Sequence, residues 1–340
     1  MSRWTSRGVG AMGVSLLAVA AVSLWALATG PTPIAWTSIA HDILHLGPPR
    51  LTGINRFFIN DLRAPRVVLG LLAGATLATA GATYQGVFRN PLADPYLLGV
   101  AAGAGLGATV ALVGVNGWIA PAGAVTWFAF VGALSSVALT WLVGGRSRRS
   151  GGATLVLAGV AISSLFTSAQ TFVQQSANSS SIARVYIWLL GSLAQASWST
   201  VWRVAPYVAI ALVVALASAR ALDVLAVGDV ESRSLGLPVS RVRFIVIVAS
   251  SLGTAAVVSA VGLIGFVGLI VPHLIRLVVG TSYRRIMPLA ITSGAAFLVF
   301  ADTIARTVIS PSELPLGVVT ALFGAPVFVI LLWTRQGATT

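Results

Sequence analysis

Ten apolar stretches, separated by short polar segments, dominate this sequence and leave few folds open to it. A helix that crosses a bilayer needs about 20 mostly apolar residues, within a range of roughly 17–25. Stretches 11–27, 67–87, 96–115, 119–143, 155–172, 204–218, 244–262, 263–279, 287–304 and 317–333 fit or approach that length. The sixth and eighth are short or interrupted. Only 9% of the 340 residues are charged and 57% are hydrophobic, where a soluble domain carries about 25% charge. The expected fold class is therefore an all-α polytopic membrane protein with about ten transmembrane helices, a single domain over 1–340. The first stretch, with Arg3 and Arg7 before it and Ala26-Leu27-Ala28 after it, also has the outline of a signal peptide. Nine further stretches favour a retained first helix.

All 21 basic residues are arginine, and there is no lysine or cysteine. A phosphate-binding P-loop requires a lysine, so the chain cannot carry one. Thiolate metal sites, disulfides and cysteine nucleophiles are excluded with it. The formal charge of +13 sits in short loops between apolar runs, as topology signals do, and does not point to nucleic acid. With the N-terminus inside, alternation gives the cytoplasmic side thirteen arginines: 3, 7, 89, 146, 148, 149, 220, 233, 241, 243, 284, 285 and 335. The outer side receives seven, Arg50, Arg56, Arg63, Arg66, Arg184, Arg203 and Arg306, and Arg276 is assigned to neither side. Both termini are accordingly expected in the cytoplasm.

Two polar segments are long enough to fold. Segment 32–60 is expected outside, with a short helix near 36–46. Segment 219–243 is expected inside, as two short amphipathic helices broken at Gly228 and at Gly236-Leu237-Pro238. Its apolar positions Leu222, Leu225, Val227, Val230, Leu235 and Leu237 suggest a surface that docks on something. Segments 74–99 and 253–280 echo each other: a small-residue helix, a proline (Pro91, Pro272), then a glycine eight residues on. Their opposite directions suggest an inverted internal repeat, a device of many transporters.

Eight unusual stretches follow in order: RAPR at 63–66, Gln85 with RNPLADPYLLGV at 89–100, LAGVAIS at 157–163, WLLGSL at 188–193, LGLPV at 235–239, GFVGLIVPHLIR at 265–276, FADTIAR at 300–306 and ELPLGVVTALFGAPVF at 313–328. Together they resemble the FecCD-type permeases, membrane subunits of ABC importers for iron-siderophores, haem and vitamin B12. The resemblance runs from about residue 10 to 334. It implies ten helices, a paired second copy or similar permease, cytoplasmic ABC ATPases that hold ATP and Mg, and an outside substrate-binding protein. The chain itself is expected to bind no cofactor or metal and to have no catalytic residue. It is expected in the bacterial cell membrane.

The resemblance assigns the docking arginines and the inner gate, and the residues themselves suggest the other roles. Arg63, Arg66 and Arg306 would dock the binding protein, the planar guanidinium gripping carboxylates with paired hydrogen bonds. Asp302, one helical turn before Arg306, would orient it. Asn90 and Leu92 would close the pathway at its cytoplasmic end, together with the Gly152-Ala153 turn, where the family's small hydroxyl residues are missing. Segment 219–243 would couple to the ATPase through Asp229, Glu231, Arg233, Leu235, Gly236 and Pro238. His273 and Arg276, three residues apart on one helix face, would be polar pins for a helix broken at Pro272, near its outer end. A proton relay or metal ligand is the sharper alternative for His273, and His41 with His45 is a weak metal pair. Ser164, Thr167, Ser168 and Thr171 would line the path, or bond neighbouring helices. Ferric siderophore is the expected cargo, with haem and cobalamin left open. An ion-driven carrier is the competing class, with Asp302 its one acid inside a span. An intramembrane enzyme lacks any motif: there is no HExxH and no acid pair within a span.

Overall fold

The computed structural model describes residues 2–30, 32–46, 50–114, 121, 123–145 and 151–336. Among them the regular structure is entirely helical. The order is α1 (Ser2–Ala28), α2 (Trp36–Ile43), α3 (Gly53–Phe57), a π-helical turn (Phe58–Arg63), α4 (Ala64–Val87), α5 (Val100–Val113), α6 (Ala124–Gly144) and α7 (Gly151–Gln175). There follow α8 (Ser179–Leu189), α9 (Trp198–Ala217), α10 (Ala219–Leu225), α11 (Asp229–Ser234), α12 (Val239–Val261), α13 (Val267–Val279), α14 (Tyr283–Ala305) and α15 (Leu316–Gln336). Among the described residues, seven helices are long and apolar enough to cross a membrane, and α5, α13 and α15 supply three shorter apolar segments. Arg146, Arg148 and Arg149, which entered the orientation argument, lie outside the described residues.

Helix α4 is the axis of the bundle. It packs against α14, α12, α13 and α9, and most of its length is buried. Such a position cannot be filled by large side chains on every face. At the α4–α14 crossing Gly74 faces Gly294, and a Cβ on Gly74 would stand 2.1 Å from the Gly294 carbonyl oxygen. At the α4–α13 contact a Cβ on Gly81 would stand 1.9 Å from the Gly268 oxygen. The threonines of α4 add no unpaired polar group. Thr76, Thr79 and Thr83 donate to the carbonyls of Leu72, Ala75 and Thr79 one turn back. Helices α1, α6, α7 and α9 carry much of the exposed apolar surface.

Two expected spans are shorter than their apolar runs. The third begins at Val100, because residues 88–99 form an irregular connection that ends at Gly99 with φ +86°. The eighth begins at Val267, after an irregular 262–266 segment. The backbone of these interruptions is paired inside the protein, as an apolar solvent demands. Ala93 N–H donates to Asn90 O, Leu97 N–H to Asp94 O, Gly99 N–H to Tyr96 O and Val267 N–H to Gly265 O. The proposed echo does not repeat element for element. Pro91 lies between helices, whereas Pro272 lies inside α13. Gly99 precedes α5, whereas Gly280 follows α13. Helix α8 is not anticipated by the apolar runs. Its start is fixed by Asn178, whose side chain accepts from Ser181 N–H.

The glycine crossing carries the first prediction. Gly74→Ala is expected to destabilise by about 1–3 kcal/mol or to prevent assembly, as overpacking does. Gly13→Ala, on α1 with open space around it, is expected to be tolerated. Thermal unfolding of both variants in detergent checks the contrast.

Candidate functional site

Three polar clusters stand out along the bundle. The first lies where α4 begins and α14 ends. Arg66 uses its whole guanidinium on two carboxylates: Nε and Nη2 donate to Asp302, at 2.8–3.2 Å, and Nη1 and Nη2 donate to Glu313, both at 2.8 Å. Asp302 is nearly fully buried, so this fork fixes the relation of α4 to α14. Arg63 is 6% exposed and donates to the carbonyls of Leu27, Ala28 and Thr32. Those are the orphan carbonyls at the end of α1 and just beyond it, where a cation is favoured. Arg306 is 8% exposed and donates to Ala26 O. Its Nε lies 3.7 Å from Asp302.

This placement corrects the expected partner of Asp302. Asp302 is held chiefly by Arg66, from another helix, and only loosely by Arg306. Arg63 and Arg306 face helix-end carbonyls within the chain and support α1 where they stand. Only Arg66 reaches the rim, through Glu313, whose side chain is 35% exposed. The hydrogen bonds from Arg66 hold the Glu313 carboxyl below the usual glutamate range, against partial desolvation.

The second cluster answers why a proline, a histidine and an arginine interrupt an apolar run. Pro272 sits inside α13 and has no N–H, so the carbonyl of Gly268, four residues earlier, loses its helical donor. The amide of Gln85, from α4, replaces it: Nε2 donates to Gly268 O at 3.1 Å and reaches Leu269 O at 3.4 Å. Arg276 in turn donates to the other end of that amide, Gln85 Oε1, and to the Tyr283 hydroxyl. Arg276 therefore acts on the break through Gln85. The two interrupted segments also meet. Tyr96 OH donates to Ile264 O at 2.9 Å and accepts from Ile264 N–H at 3.1 Å. Arg276 lies beside the end of α4 and the start of α14, the opposite end from Arg66, so the two do not share one end of the bundle as expected. The sequence reading missed Gln85 and Tyr96 as pins, although both lie in the motif stretches.

The third cluster is at that opposite end. Helix α4 closes in a Schellman turn: Asn90 N–H donates to Gln85 O and Arg89 N–H to Gly86 O. Arg89 holds the left-handed position, φ +50°, where glycine is usual. The Asn90 side chain then accepts from Leu92 N–H at 2.9 Å, shaping the turn, and Leu92 is about half exposed. The start of α7 comes to the same place. A Cβ on Gly152 would stand 3.0 Å from the Phe88 ring. The structure thus brings Asn90, Leu92 and Gly152 to one end, with exposed Ala153 beside them and Phe88 between.

Segment 219–243 folds as α10 and α11, with Gly228 and Gly236 both at positive φ, as expected. Its residues divide into two sets. Leu222 and Leu225 are fully buried, while Val227, Val230 and Leu235 are more than half exposed. Glu231, Arg233, Gly236 and Pro238 are exposed too. Asp229 turns inward: it accepts from Arg243 at 3.0 and 3.1 Å and pairs with Arg89 at 3.3 Å. Asp223 accepts from Ser282 Oγ and from Tyr283 N–H at the start of α14.

On α7, Ser164, Thr167, Ser168 and Thr171 are all exposed and form one stripe at helical spacing. Ser164 and Thr171 donate to carbonyls one turn back, leaving lone pairs outward. His45 lies beyond the end of α2, with φ +53°, so it does not pair with His41 on one helix face. Among the described residues no group of three or more metal-ligating side chains occurs.

A family model described as the FecCD transport family matches residues 16–334. The cobalamin import system permease of Halobacterium salinarum is 40% identical over 86% of this chain and 77% of its own. The hemin transport permease of Yersinia pestis is 38% identical over 81% and 83%. The Fe(3+) dicitrate permease of Escherichia coli is 35% identical over 93% and 96%. A solved inward-facing ABC transporter of the metal-chelate type superposes with TM-score 0.84 and 27% identity, over 95% of this chain and 98% of that one. The chain belongs to the FecCD transport family and is a multi-pass membrane protein.

Two predictions follow from the geometry. Gln85→Leu orphans the Gly268 carbonyl and one Arg276 contact, at a cost of about 1–3 kcal/mol per group; a lowered melting temperature in detergent checks it. Because the Glu313 pKa is depressed on folding, its stabilisation is present above the ordinary value of 4.5 and is lost as pH falls through the folded value. The melting temperature of the native chain is therefore expected to approach that of Glu313→Gln below pH 4.5 and to exceed it at neutral pH.

Proposed function

We propose that this chain is the permease subunit of an ATP-driven importer in the bacterial cell membrane. It passes an iron chelate, in the first place a ferric siderophore, from a soluble binding protein to the cytoplasm. The observation that carries this reading is the 219–243 segment. It is anchored inward through Asp223 and Asp229, yet presents Glu231, Arg233, Val230 and Leu235 to solvent on a chain that belongs to a transport family. That is the form of a surface made to receive force from a partner. With no lysine for a P-loop, ATP and Mg belong to that partner, an ABC ATPase.

In this reading the termini and α10–α11 face the cytoplasm and ten segments cross the bilayer. Asn90, Leu92, Gly152 and Ala153 close the inner end. A second copy, or a similar permease, completes the path, lined by the Ser164–Thr171 stripe, whose hydroxyls keep it wet without gripping cargo. Of the three arginines expected to dock the binding protein, Arg66 makes the exchange. It releases Glu313 and takes a carboxylate of the partner, while Arg63 and Arg306 hold α1 in place. The relatives named for cobalamin and hemin keep those two cargoes as alternatives. An ion-driven carrier is disfavoured, because Asp302 is already neutralised by a two-pronged arginine.

The test is ATP hydrolysis by the chain co-purified with its ATPase in lipid nanodiscs, with binding protein added empty or loaded with ferric hydroxamate, haem or cobalamin. Stimulation is expected, greatest with the true cargo. Glu313→Ala frees the Nη1 side of Arg66 and is expected to tighten binding-protein affinity about ten-fold or more, on the scale of one hydrogen bond to a charged group. No stable complex and no stimulation with any cargo overturns the importer reading.

A further inference from the structure

We propose that Arg89 and Asp229 form the mechanical link that carries movement of the α10–α11 segment to the inner end of α4 and the Asn90–Leu92 turn. The inference rests on the importer reading and adds to it the residues through which force passes.

Arg89 occupies the one position of a Schellman turn where a side chain is unwelcome. Left-handed backbone brings Cβ against the following carbonyl, so glycine is the common choice there. This chain keeps an arginine at φ +50° instead. Its own turn has no use for that side chain, since both closing bonds are made by backbone groups. The guanidinium instead leaves α4 and pairs with Asp229 at 3.3 Å, on the first turn of α11. Local strain maintained by a contact to another element is what a functional constraint produces.

The contacts around Asp229 are unequal. Arg243, on α12, is 9% exposed and gives Asp229 two hydrogen bonds at 3.0 and 3.1 Å. Arg89 is about half exposed and makes the longer contact. Arg243 is thus the pivot on which α11 rests, and Arg89 the arm that follows it. The neighbouring helix α10 is pinned separately, by Asp223 at the start of α14. A push on the exposed side of α11, at Glu231, Arg233 and Leu235, tilts Asp229 about Arg243 and draws Arg89 with it. The next residue is Asn90, whose side chain sets the turn that ends in Leu92.

The test uses the complex with its ATPase in nanodiscs and reads the ratio of hydrolysis with and without binding protein, together with the melting temperature. Arg89→Gly suits the left-handed backbone, so the fold is expected to be kept or stabilised. The stimulation ratio is expected to fall about five-fold or more toward unity. Asp229→Asn removes the Arg243 pivot as well and is expected to lose at least as much; adding Arg89→Gly in that background is expected to cost nothing further, since the link is already broken. Arg89→Lys, which keeps the charge, is expected to restore part of the ratio. A native stimulation ratio in Arg89→Gly, or losses that multiply in the double variant, overturns the link. Absence of stimulation in the unaltered complex overturns the importer reading itself, which keeps the two failures apart.

Discussion

A carbonyl without a donor, in a medium without water, is the constraint around which this bundle is arranged. Pro272 removes the donor that Gly268 O would have within α13, and lipid offers no substitute. The Gln85 amide supplies one, which requires α4 to pass within hydrogen-bond reach of α13. That approach is possible because Gly81 faces Gly268 without a side chain. Arg276 then holds the far side of the amide, and Tyr283 holds Arg276. One missing N–H thus dictates the residues on three helices.

The arginines show a second economy. None of Arg63, Arg66, Arg243, Arg276 and Arg306 stands free in the interior: each meets a carbonyl, an amide oxygen or a carboxylate. The planar fork suits this, since it can meet two acceptors at fixed spacing, where an ammonium would be a point charge. Ion pairs so placed set the registry of helices more than they raise net stability. Arg66 with Asp302 and Glu313 does this at one end, and Arg243 with Asp229 at the other.

Much of the architecture is legible in the sequence because lipid imposes a length and an apolarity on whatever crosses it. The long helices follow the apolar runs, and α10 and α11 follow the Gly228 and Gly236 breaks. Partners are less legible. Arg66 and Glu313 are 247 residues apart, and Gln85 and Gly268 are 183 apart, so spacing says nothing about their meeting. Asp229 looks like a surface acid, because its cation lies on the next helix. Arg63 and Arg306 look like exposed ends, because the helix carbonyls they face carry no sequence signature. Helix α8 escapes notice because SSSIARVYIWL is too polar for a span and its start depends on one asparagine cap.

The burial of α4 has a consequence for how the protein is made. Its glycines face α13 and α14 and it packs on α12 as well, and these helices begin at residues 267, 283 and 239. During synthesis α4 enters the bilayer long before those partners exist, with Arg66 not yet joined to Asp302 or Glu313. The last third of the chain must emerge before the central helix leaves the lipid. A translation stall or truncation beyond α9 therefore leaves an unshielded helix for membrane quality control to recognise, and most of the chain is needed before α4 is enclosed.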